Sequence, residues 1–550
     1  MKSLINLLNK NLEKIVFVLF CILTGIVSFF HEPWFDELQA WAISKDTLYN
    51  ILFVIPHYEG HPPLWHLILK SFSYFDVPFE YGLKIPNLLF MFATVWLLIF
   101  KSPFSKVVRL LLPFTYFIFY QYAIISRPYS IFCFALMLCA LFYKTKNENP
   151  FKFVGALVLL CLSCFYGILI AGGITVAWLI DVLKSMNLKD FLKSKICYSM
   201  WILLAFVFIL YFVIKPSEGV TFSSYVQNIG LIRWALYSFL VAPIDALFVN
   251  VLDYNPNSIN NIAFLIYCVI GIFVSISFLK VLTAYKKLSL FLFPFLMFSL
   301  FITLVYAFPH HVGLLAIFYI FILWCVLVDK DIVFNNPCIK VVKFILIFTL
   351  LVQLSWSYFA VVNEIKLPYC FSKNIANVIK QYDLDKYKIS TGWHEDEYYL
   401  SKSSKQKVYL RTALNEEQRK ILEEKFYKVT EIDFNSQDIP IVVNSYFGKN
   451  LFYTFNVLNP EKEYRLREKM SDKDVEKIQK NIKEQGLPDI FIRYKLKPSS
   501  VFSEDEIASK NYIAMTQFNG YRVWKNSYAI FNCSLFIRKT LYDEITNTSN

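Results

Sequence analysis

Residues 31–66 concentrate side chains that can transfer protons. Four of the seven histidines and five carboxylates of the chain fall within these 36 residues. A carboxylate beside an alcohol can take its proton while the oxygen attacks another centre, and Asp36 and Glu37 are the candidates for that role. Neighbouring residues on a helix point about 100° apart. We therefore expect one of the two to act as the base, while the other holds geometry or binds a cation.

Three further residues of this segment could bind a substrate or a divalent cation. His57 and His61 lie on either side of Glu59, just before a Pro62–Pro63 pair. Imidazole and carboxylate groups are common ligands of divalent metals, and a carboxylate can equally bind a hydroxyl group of a substrate. The spacing leaves both interpretations open.

The composition indicates which kind of fold must position these groups. Apolar residues make up 56% of the 550 residues and charged residues 18%, and the mean hydropathy is +0.45. That leaves too little polar surface for several water-soluble domains. Residues 1–362 hold 25 Lys/Arg and 16 Asp/Glu, whereas residues 363–550 hold 30 and 26. The sequence therefore predicts a polytopic α-helical membrane module over 1–362 and a soluble α/β domain over 363–550.

The net charge of +13 does not indicate a nucleic-acid partner. Nucleic-acid binding requires a clustered basic face, whereas the basic excess here lies in short links between apolar runs. The expected partner is the lipid bilayer. The high content of Lys, Asn and Ile favours a bacterial plasma (inner) membrane.

Apolar stretches of about 17–25 residues can cross the hydrocarbon as helices. About eleven candidates are present: 15–30, 85–100, 107–124, 129–143, 152–168, 169–183, 196–214, 261–283, 288–306, 311–328 and 341–362.

The distribution of Lys and Arg predicts the orientation of these spans. With a cytoplasmic N-terminus, 19 of the 25 basic residues of 1–362 lie in inner links, as the positive-inside rule requires. If either of two other apolar stretches, 62–75 or 231–252, crossed alone, every later link would be inverted. We therefore expect both to be interfacial or re-entrant, within outer loops 31–84 and 215–260. The domain that follows the last span is then extracytoplasmic.

The acidic cluster also has an interpretation without chemistry. Acids in the first turn of a helix stabilise it as caps, which would explain Asp36 and Glu37. Trp34, Trp41 and Trp65 could anchor a solvated loop at the membrane interface. However, ionisable groups are costly to keep dry at the membrane boundary, and this cost favours a functional site.

Mixed patterns in residues 363–550 predict an α/β domain. Helices are expected near 372–382, 414–428 and 471–485, and strands near 387–390, 440–446, 490–495 and 527–538. Cys370 and Cys533 are the cysteines expected on the outer side, and they could form a disulfide or remain two free thiols.

An ordered set of motifs over roughly 15–330 resembles the GT-C superfamily, polytopic glycosyltransferases that use polyprenyl-phosphate-linked sugars. The Asp36–Glu37 pair follows the first span, and Glu-Gly-His-Pro-Pro-Leu-Trp follows at 59–65. The stretch 83–90, LKIPNLLF, is similar to the L-R-L-P-S-L-L-F signature of the branch with protein O-mannosyltransferases and aminoarabinose transferases. The segment 126–130, Ser-Arg-Pro-Tyr-Ser, resembles the outer Arg-x-Tyr element of that branch.

The resemblance implies a GT-C-like fold and a catalytic aspartate in the first outer loop. This aspartate maps onto Asp36, with Glu37 as its partner. The carboxylate would deprotonate an acceptor hydroxyl that attacks the anomeric carbon, while the polyprenyl phosphate leaves from the opposite face, with inversion. The acceptor could be a glycan, a lipid or a protein.

A phosphate leaving group needs positive charge where its negative charge develops. The planar fork of Arg127 suits phosphate oxygens, and Arg233 is the second candidate, although it could instead be an arginine that snorkels to the interface. His310 and His311 could equally belong to a plain loop. The other donor-phosphate candidates are Lys84, Tyr129, His310 and His311.

Three alternative functions remain open. A transporter or flippase of lipid-linked glycans predicts ionisable residues at mid-span and inverted repeats, whereas Asp181 is the one inner-span acid and no repeat is evident. A non-catalytic relative would bind a glycan or a protein partner. A ligase or polymerase would use a diphosphate donor in place of a monophosphate.

Overall fold

The computed structural model describes residues 2–217, 230–251, 261–305, 309–328, 337–391, 429–431, 438–466, 471–493 and 501–548. Within these ranges the chain is mostly helical, with a small sheet near its C-terminal end. Seven of the described helices are long and apolar enough to cross a membrane. Their bounds are Lys2–Phe30, Phe79–Phe100, Phe165–Ser185, Lys195–Ile214, Asn261–Ala284, Pro309–Val328 and Pro337–Lys366.

The composition of these helices determines the solvent they need. Lys195–Ile214 and Asn261–Ala284 are apolar around most of their circumference. Many of their side chains point away from the protein, as Ile262 does with 69% of its surface exposed. A helix that is apolar on every face is typical of a membrane span, because hydrocarbon surrounds such a surface without the cost of exposing it to water.

Three shorter apolar helices also coincide with predicted spans. They are Tyr129–Tyr143, Pro150–Ser163 and Leu288–Leu304. The boundary predicted near residue 168 lies instead at Cys164, whose backbone is extended. At Gly173 an added Cβ would lie 2.3 Å from the backbone nitrogen of Pro294, so the glycine allows helix Phe165–Ser185 to approach helix Leu288–Leu304 closely.

The prediction of one continuous helix over 107–124 is wrong. The chain forms Lys106–Leu111, a 3-10 turn Leu112–Phe114 and a π-helical turn Phe117–Gln121. Pro113 has no N–H group to continue an α-helical ladder. The irregular backbone is tolerated because residues 116–125 are buried inside the protein, where neighbouring groups can satisfy it.

Neither of the two stretches expected not to cross forms a helix long enough to count as a span. Residues 62–75 contain helix Leu64–Tyr74, whose 11 residues reach about 16 Å, roughly half the hydrocarbon thickness. Residues 231–252 form Leu231–Leu236, a π-helical turn Tyr237–Val241 and Ala242–Leu247. Further short helices are Phe35–Ser44, Leu48–Phe53, Pro56–Glu59 and Leu188–Leu192.

The C-terminal part carries a five-stranded sheet. Its strands are β1 (Ile389–Ser390), β2 (Val429–Glu431), β3 (Ile490–Arg493), β4 (Tyr512–Trp524) and β5 (Ser527–Arg538). Strand β5 pairs antiparallel with β4, antiparallel with β3 and parallel with β2, while β1 pairs parallel with β3. The helices of this part are Ser372–Gln381, Leu384–Lys386 (3-10), Asp438–Asn444, Asp472–Gln485, Glu504–Ser509 and Lys539–Thr548.

Two of the sequence predictions for this part fail. The strand predicted over 440–446 is wrong, because helix Asp438–Asn444 occupies it; periodicity cannot distinguish a short apolar run in a helix from one in a strand. Strand β4 was not predicted, since its internal Asn519–Gly520 pair is typical of a turn. The helix predicted over 414–428 lies outside the described residues.

The chain between the last long helix and the sheet passes directly under β4. A Cβ on Gly520 would lie 3.2 Å from the Cα atom of Cys370, so the glycine makes room for this crossing. Of the two alternatives for Cys370 and Cys533, the structure has two buried free thiols.

Glu32 fixes the C-terminal part to the first loop. Its Oε1 accepts hydrogen bonds from the Ser372 hydroxyl and the Lys373 backbone N–H, both at 2.6 Å. Burial raises the pKa of Glu32 to about 7, although these two hydrogen bonds oppose the shift.

Lys525, at the turn between β4 and β5, fixes the sheet to the helices. Its Nζ donates to Oδ1 and the backbone carbonyl of Asp245, both at 2.6 Å, and to the Val249 carbonyl at 2.8 Å. Lys525 and Asp245 are both fully buried. The hairpin tip is therefore anchored among the helices.

Candidate functional site

A cavity of about 590 Å³ opens where the helices meet the C-terminal part. Its walls come from three sources: the first loop between residues 34 and 66, the ends of several helices, and the C-terminal part. The ionisable or hydrogen-bonding side chains among its lining residues include Asp36, Gln39, Glu59, His61, His66, Arg127, Tyr129, Tyr166, Lys215, His310, His311, Asp438, Arg465 and Arg522.

Asp36 and Arg127 form an ion pair at this cavity. Asp36 lies in the first turn of helix Phe35–Ser44, and its Oδ2 is 2.8 Å from the Arg127 Nη1. The Asp36 side chain is 21% exposed and that of Arg127 17%. Burial alone would lower the pKa of Arg127, but Asp36 and Tyr129 outweigh it and hold this pKa above its ordinary value. The structure thus brings together the predicted base and the predicted phosphate ligand.

Glu37 faces the opposite way and is completely buried. Its Oε1 accepts a hydrogen bond from the Ser126 backbone N–H at 2.7 Å, and its Oε2 accepts one from the Trp34 backbone N–H at 3.1 Å. Glu37 therefore ties the start of helix Phe35–Ser44 to the residue that precedes Arg127. It is positioned to hold the geometry of the Asp36–Arg127 pair.

His31 extends this buried network. Its Nε2 is 2.9 Å from Glu37 Oε2 and its Nδ1 is 3.0 Å from Glu364 Oε1. The Tyr120 hydroxyl donates to Glu364 Oε2 at 2.5 Å. Burial alone would lower the pKa of His31, but the two carboxylates outweigh it and raise the pKa to about 9. His31 is therefore a charged bridge between two acids at neutral pH.

Sequence reasoning did not assign a role to His31, Glu364 or Tyr120. Glu364 lies 333 residues from His31 along the chain, so no local spacing relates the two. The one available signal was an acid near the C-terminal end of the last apolar stretch.

Tyr129 and His311 line the cavity next to Arg127. The Tyr129 hydroxyl is 2.8 Å from His311 Nε2, and the Tyr166 hydroxyl is 3.0 Å from His311 Nδ1. The Arg127 guanidinium lies 5.7 Å from the centre of the Tyr129 ring. The neighbouring His310 also lines the cavity. These predicted donor contacts therefore share one wall.

The residues predicted to bind substrate or a cation are divided. Glu59 and His61 line the cavity, whereas His57 does not; its Nδ1 is 2.6 Å from the Lys215 carbonyl oxygen. Throughout the described ranges, no group of three or more His, Cys, Asp or Glu side chains could hold a metal ion. The structure therefore gives the cation interpretation no support.

His66 is a further histidine at the cavity. Burial, together with the charge of Arg127, lowers the pKa of His66 to about 4. It is therefore neutral at physiological pH.

Two predicted donor-phosphate ligands, Lys84 and Arg233, do not line the cavity. Lys84 is buried behind it, within electrostatic reach of Glu37 and Glu364. Arg233 donates to Asn261 Oδ1 at 2.6 Å. The Asp36–Arg127 pair thus leaves both of these cations outside the site.

The C-terminal part supplies cavity residues that carried no motif. They include Asp438, Arg465, Arg522 and Trp524. Gln39 binds the backbone of Arg465 through two hydrogen bonds, of 2.6 and 3.2 Å, and so connects this wall to helix Phe35–Ser44.

The fold and the cavity define a class: a mostly helical protein with seven helices able to span a membrane, and a site where a carboxylate meets an arginine. Comparison with family models, curated proteins and solved structures finds no match for the chain. The resemblance to the GT-C superfamily therefore stays a prediction.

Proposed function

We propose that the protein is an integral-membrane inverting glycosyltransferase. It would transfer a sugar from a polyprenyl-phosphate donor to an acceptor hydroxyl. The observation that supports this most directly is the Asp36–Arg127 pair at one wall of a cavity, because the reaction needs a base and a phosphate ligand close together.

In the proposed reaction the two partners separate to meet different groups. The donor phosphate takes up Arg127, whose fork suits two phosphate oxygens. Asp36, released from the arginine, accepts the proton of the acceptor hydroxyl. That oxygen forms the new bond to the anomeric carbon as the bond from this carbon to the phosphate oxygen breaks. The lipid phosphate leaves with the bonding electrons.

The buried residues give this chemistry a rigid frame. Glu37 holds the backbone on both sides of the Asp36–Arg127 pair through Trp34 and Ser126. A charged His31 keeps Glu37 ionised and correctly turned. Preorganised polar groups of this kind lower the cost of charge development during the reaction.

We further propose that the cavity faces the outer side of a bacterial plasma membrane, above about eleven crossings. Every lining residue belongs to a predicted outer segment or to the outer end of a predicted span. None belongs to the Lys/Arg-rich links predicted to lie inside. The broken segment over 107–124 would still cross, because buried irregular backbone is tolerated at membrane depth. The C-terminal domain would then be extracytoplasmic.

The proposal is tested by sugar transfer with purified full-length protein. The donors are polyprenyl-phosphate hexoses and pentoses, and the acceptor is supplied as membranes of the source cell. Asp36→Asn should lower transfer by about 10²–10⁴-fold, the usual contribution of a general base. Asp76→Asn makes the same change at an exposed site in the same loop and should leave transfer unchanged. Normal turnover in Asp36→Asn would remove the proposed base.

A further inference from the structure

A second group of hydrogen-bond donors lines the cavity on the side of the C-terminal part. Arg522 and Trp524 lie on β4, two residues apart and hence on one face of the strand. The Arg522 guanidinium stacks 3.7 Å from the centre of the Trp34 ring. All three residues line the cavity.

These donors have no acceptor within the part of the chain that the structure describes. Arg522 Nε, Trp34 Nε1 and Trp524 Nε1 are buried without a hydrogen-bond partner, and Trp524 is only 7% exposed. No carboxylate of the described ranges forms an ion pair with Arg522. Arg127, in contrast, is paired with Asp36. Buried donors without acceptors are rare in native proteins, which indicates that a ligand supplies the acceptors.

The position of these donors is fixed by the hairpin tip that follows them. The ring of Trp524 packs edge-on against Tyr116 and Phe117, with ring centres 5.9 and 6.2 Å apart. Lys525 is bonded to Asp245 within the helical part. Arg522 is therefore held at a defined place relative to the helices, as a binding residue must be.

We propose that Arg522, Trp34 and Trp524 form an oxyanion subsite, and that a phosphate or carboxylate group of the acceptor occupies it. That the occupant is the acceptor rests on the proposed function, in which Arg127 serves the donor phosphate. Trp34 comes immediately before helix Phe35–Ser44, which carries Asp36 in its first turn. The subsite thus lies beside the base, where an acceptor hydroxyl has to be. The C-terminal part would then select acidic acceptors.

The subsite is tested by calorimetric binding to the purified full-length protein. Glucose 6-phosphate is the anionic probe, glucose its neutral counterpart, and farnesyl monophosphate the lipid-phosphate probe. Arg522→Gln should weaken glucose 6-phosphate binding by about 10- to 100-fold, as expected for hydrogen bonds to a charged group. Farnesyl monophosphate binding should not change. Lys510→Gln removes one charge from an exposed site of the same part and should change neither affinity.

Several results would overturn the subsite. One is equal affinity for glucose 6-phosphate in Arg522→Gln and the unsubstituted protein, and another is an equal loss in Lys510→Gln. A third is that the unsubstituted protein binds glucose 6-phosphate no more tightly than glucose. Failure of the proposed function gives a different signature, because Asp36→Asn would then retain transfer or Arg127→Gln would retain farnesyl monophosphate binding. Arg522→Lys, which keeps the charge without the planar fork, should give an intermediate affinity if the variant proteins fold alike.

Discussion

Replacing Lys525 by methionine should loosen the hairpin that closes the cavity. The change removes three hydrogen bonds and leaves the buried Asp245 carboxylate without its cation. Breaking a buried ion pair in this way costs about 3–5 kcal/mol. If the loss falls on local opening of the hairpin, hydrogen-exchange protection of residues 520–530 should fall by about 10²–10³-fold, at tenfold for each 1.4 kcal/mol.

Two further variants make this prediction sharp. Asp245→Asn combined with Lys525→Met leaves no buried charge and should restore a large part of the protection. Lys539→Met makes the same substitution at an exposed site of the C-terminal part and should leave exchange unchanged. Wild-type protection of the hairpin in Lys525→Met, or no recovery in the double variant, would refute the reasoning that the ion pair anchors the tip.

Three other perturbations have defined outcomes. Glu37→Gln should lower sugar transfer by about 10²-fold, the cost of misplacing reacting groups, while lipid-phosphate binding persists in a pull-down with immobilised farnesyl monophosphate. The folded protein keeps the Glu32 proton up to pH about 7, whereas an unfolded glutamate releases it near pH 4.3; this contribution to stability is therefore lost as the pH rises between these values, and Glu32→Gln should flatten the melting temperature over that window. Gly173→Ala should destabilise the protein by about 1–3 kcal/mol through its clash with Pro294, measured as a drop in melting temperature that Gly155→Ala, with open space around it, does not show.

Hydropathy located most of the long helices because a span needs an uninterrupted apolar run. It failed at 107–124, where a run of the right length is broken at Pro113 and stabilised by the surrounding protein. It also failed at 440–446 and at β4, because a short buried helix and a strand with an internal Asn-Gly pair resemble other structures in sequence.

The candidate site divides along the same physical line. Asp36, Arg127, Tyr129 and His311 were found because polar groups at the ends of apolar runs are conspicuous in sequence. Glu364 and Arg522 were not found, because their roles depend on partners hundreds of residues away. For such residues, only the folded chain provides the signal.

The insertion of the β4–β5 tip among the helices has a consequence for biosynthesis. The residues that roof the cavity, up to Trp524, are among the last of the chain to be made. A nascent chain that has placed all its long helices in the bilayer still has a chamber open to water on that side. Translation must therefore be nearly finished before the chamber can be sealed, and C-terminal truncations upstream of the hairpin should yield inserted but inactive protein.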